Sequence, residues 1–375
     1  MKRIALLAYA CKADEGSEPG AGFQWAMAAA KIASVELISR PLDCETRDKL
    51  QAAGIIVNEV PVVHSAKIPQ LSYLRWLLRA QIRLKKIHSA QPLSLVHHLT
   101  YATDWLPAPR IEGIPLIWGP VGGSTGLPKG LRDHFSRKLL AKEIIRANIT
   151  GAVRLFTRRW AKRNVDLLIA QNQDTTAKYA HVRRRILRPN YVIQSDCTGN
   201  RGPRDNKDIM MVGRLIEMKG VHIAIAALEK TVLKEWTLHV IGDGPMRERL
   251  ESQAQESGVS DRVVFHGRVP RAAVLERLAN ARCSLLLSTH DAAGWAAAES
   301  ISVGTPVHTW SHGGPAELVR LTRCGTTTEP GPDSLSVLAQ AIANQPSCNA
   351  CYDMSNFNID NLSIELSRWY DETTR

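Results

Sequence analysis

Two doubly wound α/β domains facing each other across a cleft are what this 375-residue sequence predicts. Short apolar runs bounded by turn residues alternate with helical patterns along most of the chain, and such alternation builds parallel sheets with helices on both faces. The runs fall into two sets, parted by RPNYVIQSDCTGNRGPRDNK at 188–207, which is rich in Pro, Asn and Gly and poor in apolar pattern. The length is enough for two domains, each with its own core.

The first set reads RIALLAYA, VELISR, GIIVNEV, LSLVHHL, PLIWGP and VDLLIAQ, with GFQWAMAAAKIA and LSYLRWLLRAQIRLKKI among the helices between them. The second reads IMMVGR, TLHVIGDG, RVVFHGR, CSLLLS and TPVHTW, separated by VHIAIAALEKT, MRERLESQAQES and AVLERLANA. The expected boundaries are 1–195 for the first domain and 196–355 for the second. Residues 356–375 form an amphipathic C-terminal helix expected to pack back on the first domain.

The opening MKRIALLAYACKA imitates a signal peptide, but its apolar run is short, lacks a small-x-small cleavage site and leads into EGSEPGAG. It reads better as a buried first strand before a glycine loop. No apolar stretch reaches spanning length, and a cytoplasmic protein is expected. Cys348 and Cys351 have C-x-x-C spacing, but without a second pair all seven cysteines read as reduced thiols and no metal site is expected.

Charge is distributed unevenly. Residues 1–195 hold 30 of the 48 Lys and Arg but 14 of the 36 Asp and Glu, a net of +16, while the remainder carries −4. A basic surface attracts nucleic acid, yet no nucleic-acid motif is present and aromatics are not interleaved with the basic clusters. The basic stretches are instead helical, 129–163 with apolar residues on one side, followed by HVRRRILR at 181–188. The plain reading of such a run is a solvated face over an ordinary core, but helices of this kind also suit attachment to an anionic bilayer, and a peripheral place on the inner face of the plasma membrane is expected.

The chemistry concentrates in STHDAAGWAAAESISVGTPV, 288–307. Gly294 loosens the backbone, AAAES starts a helix, and Gly304 and Pro306 stop it. The first amides, of Gly294, Trp295 and Ala296, lack intrahelical acceptors and point outward, an anion site at the positive end of the helix dipole. Asp291 lies on the loop before the helix. Glu299 lies inside it, one or two turns on, placed to take hydrogen bonds from sugar hydroxyls. Upstream, MVGRLIEMKG at 211–220 is a strand and a glycine turn at Gly213, carrying Arg214 and Lys219, two cations suited to clamping a diphosphate.

VGRLIEMKG, VIGDGP, VFHGRVP, S-x-x-D-x-x-G-x-x-x-x-E and GTPV, in that order, resemble the donor domain of family 4 of the retaining glycosyltransferases of the two-Rossmann-domain (GT-B) class. GSEPGAG at 16–22, VHHLTYATDWLP at 96–107 and IWGPVGG at 117–123 extend the resemblance to a bacterial polysaccharide-related branch. The chain departs from the family's Glu-x7-Glu pattern by carrying Asp291 in the first position. The resemblance implies that Arg214 and Lys219 hold the diphosphate of a nucleotide sugar, and that Glu299 takes the ribose hydroxyls. Gly267, Arg268 and Val269 would contact the base through backbone, and Asp291 with the amides of Gly294 to Ala296 would face the donor sugar and phosphate. Gly20 and Gly22 would bring amides against the donor phosphates from the other domain, with GSEPGAG acting as a loop into a helix. His97 and His98 end an alternating strand, so one of the two faces the cleft, where the family places a histidine near the transferred sugar.

A hexosyltransferase of this kind needs no carboxylate nucleophile and no metal, because cationic side chains stabilise the leaving phosphate. The resemblance implies a saccharide or lipid-linked acceptor and a nucleotide-sugar donor as the two ligands. Two other readings stand beside it, a nucleotide-sugar epimerase of the same fold and a basic nucleic-acid-binding protein.

Overall fold

Every strand pairing in both sheets is parallel among the residues that the computed structural model describes, 2–62, 69–101, 103–123, 125–193, 204–347 and 354–375. Parallel neighbours need a crossover, and helices supply most of them. The chain divides into two units, Met1–Ser124 with Ile149–Gln194 and Ser355–Arg375, and Thr125–Asn148 with Ser195–Met354. Cys11, Cys44, Cys283 and Cys324 are free thiols. Cys197 and the Cys348–Cys351 pair lie outside the described residues.

In the first unit β1 (Arg3–Ala8), β2 (Ser34–Ser39), β3 (Ile56–Glu59), β4 (Leu95–Thr100), β5 (Leu116–Val121), β6 (Leu167–Ala170) and β7 (Arg185–Leu187) run in the order β3-β2-β1-β4-β5-β6-β7. The order reverses between β1 and β4, the switch point beyond whose carboxyl ends such sheets bind ligands. Helices α1 (Ser17–Ala30), α2 (Cys44–Ala52), α3 (Pro69–Ala90), α4 (Arg137–Asn164) and α5 (Gln173–Lys178) make the connections. Trp76, Trp118 and Tyr179 sit in its core with Leu84 and Leu168. β7 falls inside HVRRRILR, read above only as a basic cluster; its arginines keep an open sheet edge soluble.

GSEPGAG is not a loop ahead of a helix. α1 already begins at Ser17, and Pro19 stands in its first turn, where a missing amide proton costs nothing. Gly20 and Gly22 are buried inside the helix, so their amides are spent on intrahelical bonds rather than offered to a phosphate. Gly22 is there for packing: a Cβ would lie 2.2 Å from the Ala10 carbonyl oxygen.

In the second unit β8 (Asp208–Val212), β9 (Thr237–Ile241), β10 (Val263–Gly267), β11 (Cys283–Leu286), β12 (Val307–Trp310) and β13 (Gly325–Thr328) run in the order β10-β9-β8-β11-β12-β13, with the switch point between β8 and β11. Its helices are α6 (Val221–Leu228), α7 (Arg247–Glu256), α8 (Arg271–Asn280), α9 (Trp295–Ser302), α10 (Gly313–Thr322) and α11 (Ser334–Ala343). Residues 125–148 count with this unit because Leu131 and Phe135 enter its core beside Val221 and Ile225. Burying a leucine side chain fully contributes roughly 1.5–3 kcal/mol. The Ser136 hydroxyl also donates to Glu217 Oε2 at 2.8 Å.

The last helix, α12 (Ile359–Thr373), packs on α1 within the first unit. Asn358 caps it by accepting the Asn361 amide, and Trp369 stacks on Trp25 at 6.4 Å between ring centroids.

Candidate functional site

At the carboxyl edge of the second sheet, the turn after β8 meets the loop from β11 into α9. Lys219 ends that turn and brings Nζ to 3.0 Å from Asp291 Oδ2. The other oxygen, Oδ1, accepts the Gly294 amide at 2.8 Å. Gly294 caps α9 at φ 72°, a left-handed conformation, and a Cβ there would lie 2.7 Å from the Pro315 nitrogen. One carboxylate therefore holds the cation and fixes the entry to the helix. The Gly294 amide, read above as open to a ligand, is taken by Asp291.

Gly213, Lys219, Ser288, Asp291 and Ala296 line a cavity of about 20 Å³ here, room for one water-sized group. Ser288 Oγ is buried with no hydrogen-bond partner, as is Thr289 Oγ1 next to it. A buried hydroxyl left unpaired costs about 1–3 kcal/mol, which an arriving polar group would relieve. Arg214 stands exposed on the same turn, and Trp295 is buried behind the first turn of α9.

Glu299 lies in the second turn of α9, and its Oε1 accepts from Arg271 Nε at 2.8 Å. Arg271 opens α8, so nothing in the spacing around Glu299 announces this partner. Gly267 ends β10, Arg268 is exposed, and Val269 packs on the apolar cluster of Met210 and Leu278.

The residue beside Asp291 is fixed as well. His290 places Nε2 2.6 Å from Glu143 Oε2 and Nδ1 3.1 Å from the Thr125 carbonyl oxygen. Burial, with Arg146 close by, holds the imidazole below its usual pKa against the pull of Glu143. Glu143 lies in α4, far off in sequence, and escaped the motif reading.

In the first unit β4 alternates as expected, but both histidines are buried. His97 Nε2 lies 2.7 Å from the Gly119 carbonyl oxygen and Nδ1 3.0 Å from Tyr370 Oη, so both nitrogens are engaged in the unit's own packing. His98 Nε2 lies 3.2 Å from Tyr73 Oη, and its Nδ1 has no partner. Burial lowers their pKa values to about 4 and about 3, so both are neutral near pH 7.

A carboxylate that sequence reasoning missed sits at this sheet's switch point. Glu18, in the first turn of α1, accepts the Tyr101 amide and the Asn190 side-chain amide, each at 3.2 Å. Burial raises its pKa against hydrogen bonds from Tyr101 and Gln171. Gln171 Oε1 and Thr103 Oγ1 are buried and unpaired at the same edge. The group is suited to reading hydroxyls. Among the described residues no three His, Cys, Asp or Glu side chains gather as a metal-ligand set.

Two Rossmann-like domains in one chain, each a parallel sheet flanked by helices, have the architecture of the GT-B glycosyltransferases. Residues 199–355 match the family model described as Glycosyl transferases group 1. Over 113 residues the chain is 33% identical to 2-deoxystreptamine glucosyltransferase of Streptomyces kanamyceticus, a match covering 30% of this chain and 29% of that one. The chain spans about a third of the length of the first curated relatives it matches. Among solved structures it is similar to Anabaena Alr3699/HepE in complex with UDP-glucose, at 18% identity and TM-score 0.55 over 99% of this chain and 100% of that one. It is likewise similar to WaaG, a glycosyltransferase involved in lipopolysaccharide biosynthesis, at 18% identity and TM-score 0.57 over 98% and 95%.

Proposed function

We propose that this protein is a retaining glycosyltransferase of family 4 that moves a sugar from a nucleotide diphosphate sugar to a saccharide or lipid-linked acceptor in glycoconjugate biosynthesis. The observation that carries the reading is the group at the second switch point: Lys219 on Asp291, Asp291 on the α9 entry, and the unpaired Ser288 hydroxyl between them. A donor diphosphate takes Lys219 over from Asp291 and gains the exposed Arg214. As the bond from the anomeric carbon to the diphosphate breaks, negative charge grows on the leaving phosphate, and the two cations stabilise it. Asp291, released from Lys219, is then free to accept a hydroxyl of the donor sugar. No side chain acts as nucleophile, the acceptor's proton passes to the leaving phosphate, and the cations take the place of a divalent ion.

The relative solved with UDP-glucose makes uridine diphosphate sugars the first donors to test, and WaaG's part in lipopolysaccharide biosynthesis supports the acceptor class. Thermal shift against a panel of nucleotide sugars picks the donor, and turnover is then followed with and without acceptor. Consumption that depends on acceptor fits the reading. An epimerised nucleotide sugar formed without acceptor would replace it with an epimerase.

Glu299 serves the ribose in this reading, exchanging Arg271 for the hydroxyls or keeping it on Oε1 and using the other oxygen. Glu299→Gln should weaken nucleotide binding about tenfold, one charged hydrogen bond's worth, with kcat little changed. Its pair with the partly exposed Arg271 is worth under about 1 kcal/mol, so the fold should survive. Calorimetric titration with the nucleoside diphosphate checks this, and unaltered affinity would remove Glu299 from the ribose.

A place on the inner face of the plasma membrane belongs to the same proposal. Among the described residues no helix is long and apolar enough to cross a membrane. On α4, however, Ile144, Ile145, Ile149, Leu155 and Phe156 are all exposed, and Arg159, Lys162 and Arg163 follow them on the surface. Basic residues near an anionic bilayer contribute about 1 kcal/mol each. Co-sedimentation should show binding to vesicles with anionic lipid, little to neutral ones, and a drop when Arg158, Arg159, Lys162 and Arg163 are neutralised. Equal indifference to both vesicle types would leave no membrane role.

A further inference from the structure

The first sheet presents its carboxyl edge to ligands, but its opposite edge is hollowed too. Where β5, β6 and β7 begin, the surface of the first unit forms an open hollow of about 670 Å³. Its wall is cationic, formed by Arg110, Lys162, Arg163, Arg183, Arg184 and Arg375. Two carboxylates face them, and both are engaged. Asp166 Oδ2 accepts the Leu116 amide at 2.8 Å, and Glu372 Oε2 accepts from Arg184 at 2.7 Å. The other five cations make no ion pair among the described residues. Thr373 Oγ1, in the same wall, is shut off from solvent without a hydrogen-bond partner.

A solvated basic face spreads its charges along one helix. Here four chain segments far apart in sequence bring like charges into a single concavity, where they repel one another and focus the field inward. The supports are rigid: the Arg110 backbone is held from both sides by the Gln81 side-chain amide at 2.9 and 2.8 Å, and the Arg184 carbonyl accepts the Leu168 amide of β6 at 3.0 Å. The volume lies within the roughly 300–1,000 Å³ of small-molecule pockets, but the lining is guanidinium rather than apolar. Guanidinium forks match phosphate oxygens two at a time. We propose that this hollow is a second binding site of the first unit, for a multiply charged phosphate group, independent of the donor site. Such a group reaches a protein either free in solution or as the headgroup of a phosphorylated lipid.

The test uses the full chain carrying Lys219→Ala and Arg214→Ala, so that neither cation of the diphosphate clamp contributes. Calorimetric titration with inorganic tripolyphosphate should show one saturable equivalent whose affinity falls steeply with salt. Adding Arg110→Ser, at a half-buried position, and Arg183→Ser, at an exposed one, should weaken it about tenfold or more, with a melting temperature within a few degrees of the parent's. Vesicles of phosphatidate in phosphatidylcholine separate the sources. Binding to them that tripolyphosphate displaces, and that the two serine substitutions abolish, assigns a lipid headgroup; tripolyphosphate binding without vesicle binding assigns a soluble phosphate. The proposal is overturned if the chain without the two clamp cations binds neither probe saturably, or if the serine substitutions leave binding unchanged.

Discussion

Lys219→Ala is expected to lower sugar transfer at saturating donor by about two orders of magnitude, the roughly 3 kcal/mol that a preorganised donor to a developing oxyanion supplies. The geometry explains why this effect belongs to kcat. Lys219 is paired with Asp291 at 3.0 Å, so ground-state donor binding merely exchanges one anionic partner for another. The charge on the leaving phosphate grows only as the glycosidic bond breaks, and there the ammonium group has no substitute except Arg214. Arg214→Ala should cost a similar amount, and because that side chain is exposed on its turn, the fold should survive. Single-turnover rates separate chemistry from binding, and unchanged melting temperatures separate both from unfolding. If both single variants keep near-normal turnover at saturating donor, the diphosphate clamp is misplaced.

How far this site could be read from the sequence depends on whether each partner lies near in the chain. The turn after β8 and the entry to α9 follow from local chemistry: glycine where the backbone turns left-handed, alanines where a helix starts, and Gly304 in the left-handed conformation just past its end. What fills the open valences does not. Asp291 reaches back across 72 residues to Lys219, Glu299 across 28 to Arg271, and His290 across 147 to Glu143. The first pairing is set by β8 and β11 being neighbours in the sheet and the other two by how α8 and α4 pack, and apolar pattern specifies neither. The strands divide by the same logic. Those buried on both faces announce themselves as apolar runs, whereas β7, only three residues long and partly exposed, and β13, which reads GTTT, are edge strands that give no such run. GSEPGAG misled for another reason: glycines are weak helix formers, and only the close approach of α1 to the Ala10 carbonyl explains why Gly22 belongs inside the helix.

Arg154 marks where charge counting on α4 stops being a guide to the surface. The stretch 129–163 reads as uniformly basic, yet Arg154 turns inward and is spent on Asp104, whose side chain is wholly buried. Its guanidinium bonds both oxygens of that carboxylate and the Gly123 carbonyl oxygen at 3.0 Å. Arg154→Ala strips the buried Asp104 carboxylate of its guanidinium fork. Breaking a buried pair in this way costs about 3–5 kcal/mol, and the lower end applies because Arg154 is 16% exposed. For a unit of this size the melting temperature of the variant should fall by roughly 6–12 °C. Arg159→Ala, on the exposed face of the same helix, should stay within about 0.5 kcal/mol of the parent. Adding Asp104→Asn to Arg154→Ala should recover part of the loss, because an amide tolerates burial better than an unpaired carboxylate. Recovery would separate the stranded charge from the packing lost with the arginine stem. A parent-like melt for Arg154→Ala would instead mean that losing the fork costs Asp104 little, and α4 would then be free to present Arg154 outward with its other cations.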